Sequence, residues 1–178
     1  MKIIEQSFPF LVSTVENHSS YKDRILKAIS DMNMNTQISI GRTQINYATD
    51  TDWNLPKNVH RPYVVHVEKI FNDHIQEVSK IFEFDKILSI NGLWFQQYRH
   101  LQSHSWHTHP STLFANIYYV ELPENSSKTL FKIMGREFTV DVKEGDILTF
   151  PSCIHHQSAP NPSTERKTII GFNLNLVY

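Results

Sequence analysis

Two histidines, His107 and His109, stand two residues apart in the segment SWHTHPS. On a β-strand, side chains with this spacing project from the same face and lie close together. Two imidazoles in that arrangement can bind one metal ion, because imidazole is a ligand of iron, zinc and other transition metals. The pair also fits a strand whose histidines bind nothing, so the spacing leaves both interpretations open.

A second pair, His155 and His156, follows the apolar run DILTFP. Adjacent residues of a strand face opposite sides, so at most one of the two is expected to point inward and supply a third ligand. His104, three residues before His107, has a spacing that suits a loop or a helix better than a strand. The sequence has no Asp or Glu between residues 86 and 120, so no carboxylate lies close to the first pair along the chain.

Helices in the N-terminal part and strands in the C-terminal part must position these histidines. Apolar residues recur every three or four positions in 19–33 and in 61–84, which predicts two amphipathic helices. Ser20 and Asp23 are a candidate capping pair for the first helix. Residues 36–53 are expected to form short extended segments and loops.

From residue 86 onward the chain consists of short runs rich in β-branched and aromatic residues, separated by turn-forming residues. No room for helices remains between these runs, which indicates an antiparallel sandwich or barrel. We therefore predict one domain, 1–178, that is mainly β with added helices. A helix-rich support, 1–85, would pack on a jelly-roll core, 86–178.

Composition limits the partners and the location. The 178 residues have a formal net charge of −1, so the chain lacks a broad electrostatic footprint for nucleic acid. No apolar run approaches the roughly 18 residues of a membrane span. The single cysteine, Cys153, fits a reducing cytoplasm. We expect no nucleic-acid or membrane partner, and the sequence leaves a homodimer open.

Five segments in order resemble the Fe(II)- and 2-oxoglutarate-dependent dioxygenases: WFQQY, HTHP, ANIYYVELPE, EGDILTFPSCIHH and ERKTIIGFN. The closest likeness is a bacterial and phage subgroup, related to the prolyl hydroxylases, with a His-x-His-Pro motif. The resemblance covers roughly residues 87–178. It implies a double-stranded β-helix, a jelly roll whose mouth holds Fe(II). It also implies 2-oxoglutarate as cosubstrate, converted to succinate and carbon dioxide while a small molecule or a protein side chain is hydroxylated.

The resemblance also assigns roles to individual residues. The metal ligands that it implies are His107, His109 and His156. Arg166, ten residues after the last ligand, would bind the far carboxylate of 2-oxoglutarate through its planar guanidinium. Tyr98 would contact the cosubstrate, and Tyr118 or Tyr119 is a second candidate for that contact. Apart from the resemblance, Trp94 is expected to lie in the core.

The family usually has a carboxylate where this chain has His109. Three options follow, in order of preference. His109 is the third ligand of an all-imidazole site; or it turns away and leaves two protein ligands; or His104 replaces it. Two other functions remain open beside the oxygenase: a three-histidine cupin-type dioxygenase without 2-oxoglutarate, and a jelly-roll binding protein without catalysis.

Overall fold

The computed structural model describes residues 7–35, 50–56 and 58–177. This part of the chain forms two antiparallel sheets with a shared core between them and two helices on the outer face of one sheet. The elements are β1 (Leu11–Thr14), α1 (His18–Asn35), α2 (Val64–Ile81), β2 (Leu88–Tyr98), β3 (His104–His107), β4 (Phe114–Glu121), β5 (Thr129–Ile133), β6 (Arg136–Thr139), β7 (Asp146–Pro151), β8 (His155–Ser158) and β9 (Lys167–Leu176).

The larger sheet has the strand order β1-β7-β4-β9-β2 in the described residues, and the smaller sheet has the order β3-β8-β5-β6. Two facing antiparallel sheets with these crossovers confirm the predicted jelly roll with a helical N-terminal part. The strand β1 was not predicted: it lies in the N-terminal part, yet it pairs with β7 of the larger sheet. The N-terminal part therefore supplies a strand to the sheet that it also covers.

Strand alternation divides the larger sheet into two faces. Ala115, Ile117 and Ile169 belong to the cluster between the sheets, together with Phe131 of the smaller sheet. Ile170 and its neighbours of the same parity belong instead to the cluster beneath the helices. A residue's parity along β4 or β9 thus decides whether its side chain reaches the interior of the barrel.

The helices pack on the outer face through apolar stripes. Phe71 of α2 stacks on Phe172 of β9 with ring centroids 4.1 Å apart. The capping prediction for α1 is wrong, because the helix begins at His18 and the Ser20 hydroxyl donates back to the Asn17 carbonyl. Of the predicted extended segments at 36–53, residues 36–49 lie outside the described residues, and Thr51 forms a bridge to β2. Neither described helix is long and apolar enough to cross a membrane.

Candidate metal centre and adjoining cavity

Two of the candidate ligands face each other across paired strands of the smaller sheet. β3 and β8 run antiparallel with His107 opposite His156, and the two ring centroids are 4.2 Å apart. His156 is buried, whereas His155 is exposed on the other face of β8. The structure therefore places His156 inside the barrel and His155 outside, as strand alternation requires.

Backbone carbonyls fix the orientation of these two rings. The Nδ1 atom of His107 lies 2.7 Å from the Ser105 carbonyl oxygen, and Nδ1 of His156 lies 3.0 Å from the Ile154 carbonyl oxygen. A carbonyl oxygen can only accept a hydrogen bond, so each Nδ1 must carry the proton. Each Nε2 is then left with a free lone pair, which is the form that binds a metal.

His109 completes the cluster from the segment that follows β3. Its backbone N–H donates to the Ser152 carbonyl (3.0 Å), and its Nε2 lies 3.2 Å from Nε2 of His156. Two ligands at right angles on a metal, with bonds of about 2.1 Å, would be about 3.0 Å apart. One nitrogen from each of His107, His109 and His156 lies within 4.8 Å of the others. The three imidazoles thus fit one metal ion.

Burial keeps the histidines uncharged. Desolvation lowers the pKa of His109 to about 4 and that of His156 to about 2, and it also lowers the pKa of His107. Neutral imidazole is the metal-binding form, so the lowered pKa values favour binding near pH 7. His104 is also buried, with its ring centroid 4.0 Å from that of His107, but it lies outside the three-nitrogen group. It lines the same cavity as a fourth neutral imidazole.

A cavity of about 440 Å³ adjoins the cluster between the two sheets. Trp53 is 57% exposed and marks its outer end, whereas Tyr98 is 1% exposed and marks its inner end. The Tyr98 hydroxyl donates to Gln96 Oε1 over 2.8 Å. No Asp or Glu is found among the described residues that line the cavity. A divalent metal bound here would therefore keep its double positive charge until an anion entered.

A lysine lies behind the inner end of the cavity. Lys167 is 0% exposed, and its Nζ donates to the Ser158 hydroxyl (3.0 Å) and to the Ser127 carbonyl (2.8 Å). Ser158 itself lines the cavity, and Nζ lies 5.0 Å from the centre of the Tyr98 ring. Within the described part of the chain, no carboxylate forms an ion pair with this amine, and burial lowers its pKa to about 7. A buried amine without a counter-ion is a natural site for an anionic group of a ligand.

The structure does not bring two of the predicted cosubstrate residues into this cavity. The Arg166 guanidinium binds both carboxylate oxygens of Glu121, at 2.8 and 3.1 Å, and is not part of the cavity lining. Tyr118 faces the helices, where its hydroxyl lies 2.7 Å from His18 Nδ1. Tyr98 does line the cavity. Neither Arg166 nor Tyr118 lines the cavity: Tyr118 has the outward parity on β4, and Arg166 lies directly before β9, where Glu121 binds its guanidinium.

Sequence reasoning passed over Lys167 and treated Trp94 as core only. Lys167 has the same parity on β9 as Ile169, Gly171 and Asn173, and these three residues line the cavity. Residues on one face of a strand recur every second position, so the face that contains Gly171 also contains Ile169 and Lys167 but not Arg166. Trp94 is 9% exposed, which fits a core residue, but its indole also lines the cavity beside His109.

The chain is similar to known proteins in its structure, whereas the comparisons of its sequence found no match. No protein-family model matches the chain, and no curated protein matches it. Among solved structures, a prolyl hydroxylase from Trichoplax adhaerens in complex with a hypoxia-inducible-factor peptide has a TM-score of 0.69 at 12% identity, covering 93% of this chain and 83% of that one. HygX from Streptomyces hygroscopicus, with nickel and 2-oxoglutarate bound, has a TM-score of 0.67 at 11% identity, covering 96% and 84%.

A third similar structure is an oxidoreductase of the 2OG-Fe(II) oxygenase family from Burkholderia pseudomallei. It has a TM-score of 0.54 at 12% identity, covering 62% of this chain, and the chain spans 56% of that protein's length. The three similar structures share the jelly-roll architecture described above; one belongs to the 2OG-Fe(II) oxygenase family, and another has 2-oxoglutarate bound. The chain therefore has the fold of the 2OG-Fe(II) oxygenases and prolyl hydroxylases, as its sequence motifs predicted.

Proposed function

We propose that this protein is an Fe(II)- and 2-oxoglutarate-dependent oxygenase that hydroxylates a small molecule or a protein side chain. One observation carries the proposal: a single cavity adjoins a three-imidazole cluster and, at its inner end, a buried amine with no acidic partner among the described residues. A metal ion would bind the three imidazoles, and a dianionic oxo acid would bind both the metal ion and the buried amine. The likeness to HygX, which binds nickel and 2-oxoglutarate, supports the same assignment.

His107, His109 and His156 would hold Fe(II) through their Nε2 atoms. Bound there, Fe(II) would activate O2, of which one oxygen atom goes to 2-oxoglutarate, giving succinate and carbon dioxide, and the other to the hydroxylated substrate. An imidazole in place of the family's carboxylate raises the net charge of the site by one. Because the part of the cavity lining that the structure describes has no acid, this charge favours a dianionic cosubstrate.

Lys167 replaces Arg166 as the partner of the far carboxylate. Its Nζ already donates to Ser158 at the inner end of the cavity, so a carboxylate beside Ser158 and Tyr98 would lie close to the amine. An anion at this point raises the pKa of Lys167 from about 7 and makes the amine charged when the cosubstrate binds. The rest of the cavity, toward Trp53, is left for the substrate.

The substrate is proposed only as a class. The hydroxylated group is expected to be uncharged, because the described cavity lining offers no carboxylate and no exposed amine to pair with a charge. The Trichoplax adhaerens structure contains a peptide fragment, which makes a protein side chain one option and a small molecule another. A cytoplasmic location, suggested by the single Cys153, stays a prediction.

The all-imidazole ligand set also matches a three-histidine dioxygenase that uses no oxo acid. The two functions differ in their need for 2-oxoglutarate. The test is anaerobic addition of Fe(II) and then 2-oxoglutarate to the purified protein, followed by visible absorption and, after oxygen is admitted, measurement of succinate. We expect a charge-transfer band that requires both additions, and succinate above the background of His156→Ala. Iron binding without a band or succinate would favour the three-histidine alternative.

A further inference from the structure

The third ligand is held differently from the other two. His107 and His156 lie on paired strands, and a backbone carbonyl accepts a hydrogen bond from each ring. His109 lies beyond the end of β3, and in the described residues no backbone carbonyl accepts from its ring. Its backbone is fixed by bonds to Ser152 and Thr112, but these bonds leave the side-chain torsions free. A side chain must therefore orient the His109 imidazole.

Trp94 lies against that imidazole. The indole and the His109 ring are 18° from parallel with centroids 5.5 Å apart, and His109 is in turn 12° from parallel with His156 at 5.0 Å. The ring of His109 therefore lies nearly parallel to both the indole and the neighbouring ligand. Without the indole, space would open beside the His109 ring, and the ring could turn out of the cluster.

Gly171 fixes the position of the indole. It pairs directly with Trp94 across β2 and β9, and the ring lies over its Cα. A Cβ at position 171 would lie 2.7 Å from Cε2 and Cζ2 of Trp94, a separation that real Cβ atoms essentially never show. The indole is rigid, so a side chain at 171 would displace it from its position over β9.

Asn173 adds a polar contact on the same side. Its Oδ1 is buried and has no hydrogen-bond partner in the described residues. Asn173 lines the cavity together with His109, and its amide is placed to accept from an N–H of that ring. An imidazole that donates from one nitrogen keeps a lone pair on the other for a metal.

We propose that Trp94, seated on Gly171, is a positioning residue that turns His109 into the metal centre and so lets an imidazole occupy the place of a carboxylate. The inference rests on the proposed function, because it requires His109 to be a ligand. It assigns to a buried tryptophan and a strand glycine a role beyond packing. It also explains why His109 points inward rather than away.

The test is Co(II) binding, measured by titration of visible absorption on protein that is shown to be folded by circular dichroism. Gly171→Ala and Trp94→Leu should each weaken Co(II) binding about 10- to 100-fold, the usual cost of losing a residue that orients a ligand. Trp94→Phe keeps an aromatic face and should retain most of the affinity. Gly92→Ala is the matched control on β2, since a Cβ there would meet its neighbours at 3.6 Å, an ordinary contact.

A double-mutant cycle separates positioning from general loosening of the fold. In the His109→Ala background, Trp94→Leu should cause no further loss of Co(II) affinity, because the ligand that it orients is gone. The inference is overturned if Gly171→Ala binds Co(II) like the wild type, or if Trp94→Leu costs the same in both backgrounds. A wild-type protein that binds no Co(II) would overturn the proposed function together with the inference.

Discussion

Replacing Lys167 by Met tests which of two adjacent basic residues binds the cosubstrate. Methionine is similar in length and volume but lacks the ammonium that we propose for the far carboxylate of 2-oxoglutarate. A hydrogen bond to a charged group contributes about 1.5–3 kcal/mol. We therefore expect the Kd for 2-oxoglutarate to rise about 10- to 150-fold. Arg166→Met is the matched control: its guanidinium binds Glu121 outside the cavity, and the Kd should not change.

Lys167→Met should also change how the free energy of unfolding depends on pH. Burial lowers the pKa of Lys167 from 10.5 to about 7. Between these two values the unfolded chain binds more protons than the folded protein, so the free energy of unfolding rises with pH across this window. From pH 7 to pH 9.5 the wild type should gain about 3 kcal/mol from this group, because a tenfold change in proton affinity is worth about 1.4 kcal/mol. Lys167→Met should lack that gain.

Two measurements check the reasoning. Calorimetric titration of 2-oxoglutarate, with Ni(II) in place of iron, gives the Kd for the wild type and for the two variants. Urea unfolding of the cosubstrate-free proteins at pH 7 and pH 9.5 gives the stability difference, in which groups common to both proteins cancel. Loss of 2-oxoglutarate binding in Arg166→Met but not in Lys167→Met would refute the assignment. Equal pH dependence in wild type and Lys167→Met would refute the burial argument.

Three further predictions concern the ligands and the segment before α2. His156→Ala should abolish Fe(II) binding while His155→Ala leaves it intact; equal loss in both would show that the inward residue is misassigned. His109→Asp should still bind metal but, with one positive charge fewer at the site, should raise the Kd for 2-oxoglutarate, which titration would show. Asp52→Ala removes the carboxylate that binds the largely buried Arg61 guanidinium. Urea unfolding should therefore show that the free energy of unfolding falls by about 3–5 kcal/mol; a fall below about 1 kcal/mol would contradict the pairing.

Much of the fold could be predicted because its strands are locally encoded. The run at 86–98 is rich in apolar and aromatic residues and became β2, Leu88–Tyr98, and turn formers flank β5 and β7. The predicted helix over 61–84 became α2, Val64–Ile81. β1 and β8 could not be predicted in this way. Each has four residues, and its hydrogen bonds all go to strands that are distant in sequence.

The candidate site also combines features that the local sequence predicts with features that only the strand pairing sets. Three histidines and the spacing of two were visible in the sequence, and the structure brings those three together. The basic residue that we propose for the cosubstrate could not be predicted from its distance along the sequence to His156. Arg166 and Lys167 differ by one position, and a shift of one residue reverses the face of a strand. Only the pairing of Lys167 with Tyr98 in the β2–β9 ladder fixes which of them faces the interior.

The sequence by itself determined the residue types of the site: imidazoles without a nearby carboxylate, two basic residues at the start of the last strand, and the alternation that builds a barrel around them. The tertiary structure alone decided which way His109 points. That orientation depends on Trp94, whose position depends on the absence of a side chain at Gly171. These residues meet across separate strands, and contacts between strands are set by register and packing, which no local pattern contains.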